Sequence, residues 1–509
     1  MAACASQSAH TGGVPTLIQG GVVVNHDQQF HADVLIEDGL VSVVDPSGQI
    51  KAPAGAKVID ATGKLVMPGG IDPHTHLHLP FMGTVACDDF FSGQAAAAAG
   101  GMTMHIDFAL PVDHDIEAGF EASQAQAQKS CIDYSLHCAI TRWSPQVSET
   151  MGRLVDRGVN SFKFYLAYKG DGLMVNDADM LGSFQRCREL GALPMVHAEN
   201  GDAVACGQEE VFWRGITGPE GHALSRPAVV EGEATARAIK LARFVGAPLY
   251  VVHVMSADAM EEVAKARKDG QRVIGEPIIS GLALNESMMW HPDFKIAAQY
   301  VMSPPIRSAE HGAALRKALA QGTLQLVGTD HAVFNSTQKA AGRGDFRKIP
   351  NGVNGIEERM HVVWETMVNS GMMTPMDYVR VTSTAAAQIF NMYPRKGRIA
   401  AGSDADMILF DPEEEHVLSA STHHSRMDTN VYEGMKIKGR VVATVSRGRL
   451  LWEDGKLYAQ PETGRFIPLP TGGALFHGLD KHHESEFVPT RYGPTPVDRP
   501  QDSGAKTEL

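Results

Sequence analysis

The chain has no surplus of positive charge. Its 45 Lys and Arg stand against 59 Asp and Glu, a formal net charge of −14. A nucleic-acid surface needs a basic patch, so none is expected, and nothing favours attraction to anionic membranes. Long apolar runs are missing too: no stretch of about 18 apolar residues exists, so no transmembrane helix is predicted. The opening MAACASQSAHTGG has no basic region followed by an apolar one, so no secretory leader is expected. The closing AKTEL matches neither an ER-retention nor a peroxisomal address. Cysteine is sparse. Cys4, Cys87, Cys131, Cys138, Cys187 and Cys206 form no C-x-x-C pair. They read as reduced thiols, and a reducing, cytoplasmic compartment is expected. The 51 Gly and 27 Pro follow no period, which excludes a collagen-like rod. No repeat of about 20–50 residues stands out.

What is present fits a soluble globular protein, with 43% hydrophobic and 20% charged residues. At about 150 residues per domain, 509 residues suggest roughly three domains, or one large barrel taking most of the chain. Residues 14–66 contain β-branched runs such as LIQGGVVVN and ADVLIEDGLVSVV, broken by Gly, Asp and Asn; Glu37-Asp38-Gly39 suits a hairpin tip. This segment is expected to be a small all-β unit. Over 67–395 short apolar runs alternate with Ala- and charge-rich stretches that end in Gly, such as DMLGSFQRCRELG and EATARAIKLARFVG. Candidate strands lie at 65–74, 102–110, 133–140, 161–166, 193–198, 249–254, 272–277 and 324–330. Eight such alternations predict an α/β fold, a (β/α)8 TIM-like barrel. β texture returns over 396–460 and is expected to join the N-terminal unit in one small β-sandwich built from both chain ends. Residues 461–509 read as an extended tail, partly disordered or laid on a neighbouring subunit.

Chemistry concentrates at the ends of the predicted strands. In Asp72-Pro73-His74-Thr75-His76 the two imidazoles lie two residues apart, on one side of a strand. They can face one metal. A bare H-x-H is common in ordinary loops, but the other strand ends add Lys163, His197, His253 and Asp330. In such a barrel the C-terminal face carries the active site, and four His, one Lys and one Asp suit a metal with nitrogen and oxygen ligands. Lys163 sits inside apolar SFKFYL, where burial makes an ammonium lose its proton more easily. A neutral amine can add carbon dioxide and become an anionic carbamate that bridges two metals.

The motifs GGIDPHTHLHLPFMGT, SFKFYLAYKG, MVHAEN, VVHVMSADA, GTDHAVF and KIPNG resemble those of the cyclic amidohydrolases, above all the dihydropyrimidinase and D-hydantoinase branch. The resemblance covers about residues 14–460. It implies two Zn2+ ions: one held by His74, His76, Asp330 and N6-carboxylated Lys163, the other by the same Lys163, His197 and His253. It implies hydrolytic opening of a small cyclic amide by a hydroxide shared between the metals. Dihydrouracil and dihydrothymine would give N-carbamoyl-β-amino acids. Asp330 would be the general base and Tyr168 the donor to the oxyanion. Ser303 and Asn351 would bind the ring amides, with Asn354 as the competing choice for the asparagine. A homotetramer is implied as well.

Within this branch, the substituent on the ring is expected to meet Leu79, Phe81 and Met82. His78 and His331 are expected to be loop residues or to sit behind the ligands. Cys87 reads as a buried thiol, and the pair His423 and His424 reads as surface. Dihydroorotase-like activity needs an Arg to hold a carboxylate where this chain has His78. D-hydantoinase and allantoinase remain as alternative ring preferences. The collapsin response mediator proteins, non-enzymatic relatives of the same fold, lack a complete ligand set; this chain retains all six positions.

Overall fold

Parallel strands buried on both faces need apolar residues at every position rather than at alternate ones, and that is how this chain builds its centre. The computed structural model describes residues 14–479. Seven parallel strands form one sheet, in the spatial order Val273–Gly275, Leu249–Val251, Leu193–His197, Ser161–Tyr165, Asp133–Ala139, Met102–Ala109, Gly70–Thr75. Every residue of these strands is buried. Helices cross between successive strands on the outside. Their ends follow the local chemistry. Asp177–Leu190 begins at Asn176, whose side chain accepts from the Asp179 amide, and stops at Gly191 with φ 66°. Ala228–Val245 stops the same way at Gly246, φ 69°.

The eighth predicted strand, 324–330, is not a regular strand. It still closes the barrel. The Gln325 and Gly328 amides donate to Gly275 and Pro277 on one side, and the Asp330 amide donates to His74 O at 2.9 Å on the other. Gly328 allows this approach, since a Cβ there would lie 2.9 Å from the Glu276 side chain and 3.1 Å from His74. The predicted strand 65–74 is two strands. Leu65–Pro68 belongs to a different sheet, and Gly70–Thr75 opens the barrel. The break is Gly69, where a Cβ would sit 2.2 Å from Thr103 Oγ1.

Both chain ends meet in one continuous nine-stranded sheet. Met407–Val417 pairs antiparallel with Leu65–Pro68, which in turn pairs with Thr16–Val24. The far edge turns back on the chain: the Val41 amide donates to Ser403 O and the Gly402 amide to Val41 O. The sheet thus encloses its own apolar cluster, including Ile18, Val34, Ile59, Met407 and Val445. A buried ion cluster ties it to the barrel. Lys396 Nζ lies 2.9 Å from Asp133 at a barrel strand start, and 3.0 and 2.5 Å from Asp404 and Asp406. These three carboxylates could suggest a cation site, but the Lys396 ammonium already fills it, with Arg447 beside Asp133.

The described part of the expected tail lies on this chain's own barrel. The Ile467, Leu469 and Gly472 amides donate to carbonyls of Tyr134, Gly158 and Gly191, all at or just before strand starts. Ile467 and Leu469 pack with Ile71, Met104, Met195 and Tyr250 of the barrel interior. The strap therefore seals the N-terminal end of the barrel and leaves the opposite end to the active site. The rest of the predicted tail, 480–509, lies outside the described residues. Among the described residues no helix is long and apolar enough to cross a membrane.

Candidate metal centre and active site

His74 lies near the end of Gly70–Thr75 and His76 just beyond it; Lys163 is central in Ser161–Tyr165, and His197 ends Leu193–His197. His253 follows Leu249–Val251, and Asp330 lies in the closing segment. The fold brings all six together. His74 Nε2 and His76 Nε2 are each 3.1 Å from Asp330 Oδ1. The His197 and His253 rings are 4.4 Å apart between centroids, and those of His74 and His253 5.3 Å. Lys163 Nζ lies 4.5 Å from the centre of the Phe108 ring. Asp330 and His253 hold φ of 53° and 37°, a backbone region unfavourable for L residues. Such strain persists where the surroundings enforce it and is common at functional sites.

The donor set fits metal ions on a direct observation. Buried His74 Nε2 has no hydrogen-bond partner, although Asp330 Oδ1 is 3.1 Å away. The two atoms approach without the alignment a hydrogen bond needs. His74, His253 and Asp330 instead offer ligand atoms within 4.8 Å of one another, as donors around a shared cation would. The electrostatics agree. Burial pulls the His74 imidazole down, but the Asp330 and Glu276 carboxylates outweigh it and raise the pKa to about 9. The two carboxylates beside His74 thus favour positive charge at this position, as they would favour a metal ion. Burial lowers His76 to about 4, and it lowers His197 and His253 as well, so these imidazoles stay neutral, the ligand form. Burial also works against the Asp330 carboxylate, but His74 and His76 hold it well below the usual range. Burial brings Lys163 down to about 7, against the opposing pull of Asp330 and Glu276.

Beside these residues is a small cavity, its walls including His76, Lys163, His197, His253 and Asp330. Tyr168, whose ring centroid is 5.1 Å from that of His197, also lines it, as do Ser303 and Asn351, with Leu79 and Phe81 at the loop after His76. Tyr168 sits at φ 63° and packs edge-on to Phe81. Burial and nearby carboxylates keep its phenol protonated far above the usual range. Asn351 Nδ2 donates to Ser303 Oγ at 3.1 Å. Asn354 is turned elsewhere, bonded to Asn430 and the Val431 amide, which leaves Asn351 as the asparagine at the cavity. Met82 does not line this cavity; it borders the neighbouring one and is 38% exposed.

Several residues that hold the centre carry no distinctive spacing in the sequence. Glu276 Oε1 lies 2.7 Å from His74 Nδ1 and accepts from the His253 amide, and its other oxygen accepts from Tyr250. Glu199 Oε2 is 2.9 Å from His197 Nε2, which leaves the other ring nitrogen for a metal. Asp72 accepts from the His74 amide and from Thr329, next to Asp330. Such partners fix ring orientation and tautomer. Glu276→Gln is expected to weaken metal binding about 10- to 100-fold, read by competition with a chelator; unchanged affinity would remove Glu276 from that role.

His331 stands behind the centre. Its Nε2 is 3.1 Å from Asp88 and its Nδ1 accepts from the Gly355 amide. His78 adopts φ 55° outside the cavity lining. Cys87 is half-buried, its thiol pushed up to about 12 by burial and Asp88. The expectation of a surface pair at His423 and His424 is corrected. Both are partly buried beside the Glu357–Glu358 segment, with His424 Nδ1 2.8 Å from Glu357. The polar sequence around them gave no sign of that pairing.

The chain is similar to proteins already known. Residues 65–451 match the amidohydrolase family. A dihydropyrimidinase of Arabidopsis thaliana is 60% identical over 466 residues, covering 91% of this chain and 87% of that protein. The crystal structure of a dihydropyrimidinase from Brevibacillus agri superposes with a TM-score of 0.88 at 41% identity, over 90% of this chain and 99% of the other. A D-hydantoinase from a Bacillus species gives 0.87 at 43% identity, over 90% and 99%.

Proposed function

The chain belongs to the amidohydrolase family, and from that premise we propose that it is a dihydropyrimidinase. It opens dihydrouracil and dihydrothymine by hydrolysis to N-carbamoyl-β-amino acids. The observation that carries this reading is the meeting of four imidazoles, Lys163 and Asp330, all but His74 lining one cavity, in a chain so close to a dihydropyrimidinase. Two Zn2+ ions suit the donors. His74, His76, Asp330 and carbamylated Lys163 would hold one, and Lys163, His197 and His253 the other. Held there, such ions supply hydroxide near neutral pH and polarise a carbonyl.

The chain's own groups do the rest. Near pH 7 a good share of Lys163 is the free amine, because burial brings its pKa to about 7. The amine nitrogen bonds to the carbon of carbon dioxide and releases a proton to solvent, which leaves an anionic carboxylate where the neutral amine stood. Asp330 is held ionised by the imidazoles beside it. It takes the proton from the attacking water and returns it to the ring nitrogen as the carbon–nitrogen bond breaks. Tyr168, kept protonated by burial, donates its O–H to the carbonyl oxygen as negative charge develops there. Ser303 and Asn351 face the alternating donors and acceptors of the ring amide.

The intact ligand set sets the chain apart from non-enzymatic relatives. The reading extends to a cytoplasmic homotetramer, and the free thiols of Cys87, Cys131, Cys138, Cys187 and Cys206 support a reducing compartment. The likeness to a D-hydantoinase favours hydantoin as a second substrate. Purified zinc-loaded protein, offered dihydrouracil, hydantoin, allantoin and dihydroorotate in parallel, should turn over dihydrouracil with the highest kcat/KM. A clear preference for allantoin or dihydroorotate would overturn the substrate assignment.

A further inference from the structure

The loops carrying Ser303 and Asn351 come from distant parts of the chain, yet their spacing decides whether both can reach one ring amide. Lys339 lies between them. Its side chain is 1% exposed. Nζ donates to Val301 O at 3.0 Å and to Pro350 O at 2.9 Å, two residues before Ser303 and one before Asn351. The Gly352 amide donates to the same Val301 carbonyl at 3.0 Å, and Asn351 Nδ2 closes the ring on Ser303 Oγ at 3.1 Å. Its neighbour Gln338 donates to Thr84 Oγ1 and Val85 O, both at 2.7 Å, in the Pro80–Val85 hairpin whose Phe81 also lines the cavity. One turn of helix, Ser336–Lys339, therefore joins three walls of the cavity.

We propose that Lys339 is a positioning residue for substrate binding, whose amino group clamps the Val301–Ser303 and Pro350–Gly352 segments at the separation the ring amide requires. This rests on the roles of Ser303 and Asn351 in the function proposed above. A buried ammonium is costly, and burial lowers Lys339 to about 7 with no carboxylate to offset it. A residue needed only to fill space would be served by an apolar side chain. Two N–H bonds to carbonyls of different loops give a reason for an amino group here. Its side chain reaches the two loops through their backbone and does not line the cavity itself.

Lys339→Met keeps the apolar stem and removes the donors; Lys339→Gln, as long as Met, keeps an amide donor one atom short of Nζ. A displacement of about 1 Å in a binding group can cost on the order of a hundredfold. For Lys339→Met, KM for dihydrouracil is expected to rise about tenfold or more with kcat within about threefold, the pattern of lost uniform binding. Metal content should stay at the wild-type value. Lys339→Gln should recover part of KM. Hydrogen exchange of the peptide containing the Gly352 amide should quicken in Lys339→Met while exchange in the barrel strands stays unchanged. Unchanged KM and exchange in both variants would overturn the proposal, as would a fall in kcat that only tracks loss of folded protein. If Lys339→Met does not fold, the KM and exchange of Lys339→Gln decide alone. A wild-type protein that opens no cyclic amide removes the functional reading, and the exchange result still decides whether Lys339 clamps the two loops.

Discussion

Lys163→Ala is expected to lower kcat for dihydrouracil to about one-thousandth of wild type or less, while the barrel stays folded. Metal-assisted hydrolysis draws several kcal/mol of barrier reduction from the ions, and about 4 kcal/mol is a thousandfold in rate. Lys163 is the residue proposed to touch both ions, so its loss should remove at least one of them. Folding should survive because an ammonium at this position is already unfavourable: burial brings its pKa to about 7. Metal analysis, circular dichroism and turnover on one preparation separate these effects. A carboxylate role makes a further prediction. Excess bicarbonate should speed reconstitution of the wild-type apoprotein, and a short carboxylic acid with added zinc should restore part of the activity of Lys163→Ala. A variant with both metals and near-normal kcat would dismiss the carbamate.

Asp330→Asn is expected to lower kcat by about 100- to 10,000-fold, the range of general acid–base catalysis, with a smaller change in KM. The amide can still offer an oxygen toward His74 and His76, so part of the metal content should remain. It cannot take up and return the proton. The wild-type pH profile should carry the same signature. Asp330 is held far below the usual carboxylate range by His74 and His76, so it stays ionised as pH falls to mildly acidic values. Loss of activity there should follow competition of protons for the ligands rather than protonation of Asp330, and raising the zinc concentration should offset it. A kcat of Asp330→Asn equal to wild type, at equal metal content, would refute its role as base.

Much of this site was legible because the chemistry falls at strand ends. The H-x-H spacing places two imidazoles on one side of a strand, and a lysine within SFKFYL contradicts its apolar surroundings. The alternation of apolar runs and Gly-terminated helices was enough for the barrel. Its eighth strand was harder. LQLVGTD has the composition of a strand, but its backbone must bend so that Asp330 faces His74 and His76, at φ 53°, and the regular ladder is lost. Residues 65–74 look continuous, yet Gly69 lets the chain pass from one sheet to the other. Glu276 and Glu199 lay inside segments already recognised, RVIGEP and MVHAEN; an acid within an apolar buried run was the available signal. Lys339 could not be read at all, since its partners are backbone carbonyls brought together only by the fold.

The central claim is that His74, His76, Lys163, His197, His253 and Asp330 hold two metals that open a cyclic amide. Its most direct test is a titration of metal-free protein with zinc in the presence of bicarbonate, with bound metal and dihydrouracil hydrolysis followed together. Activity that rises with zinc and saturates at two ions per subunit is the predicted result. Full turnover in metal-free protein, or two tightly bound ions with no turnover of any cyclic amide, would contradict it.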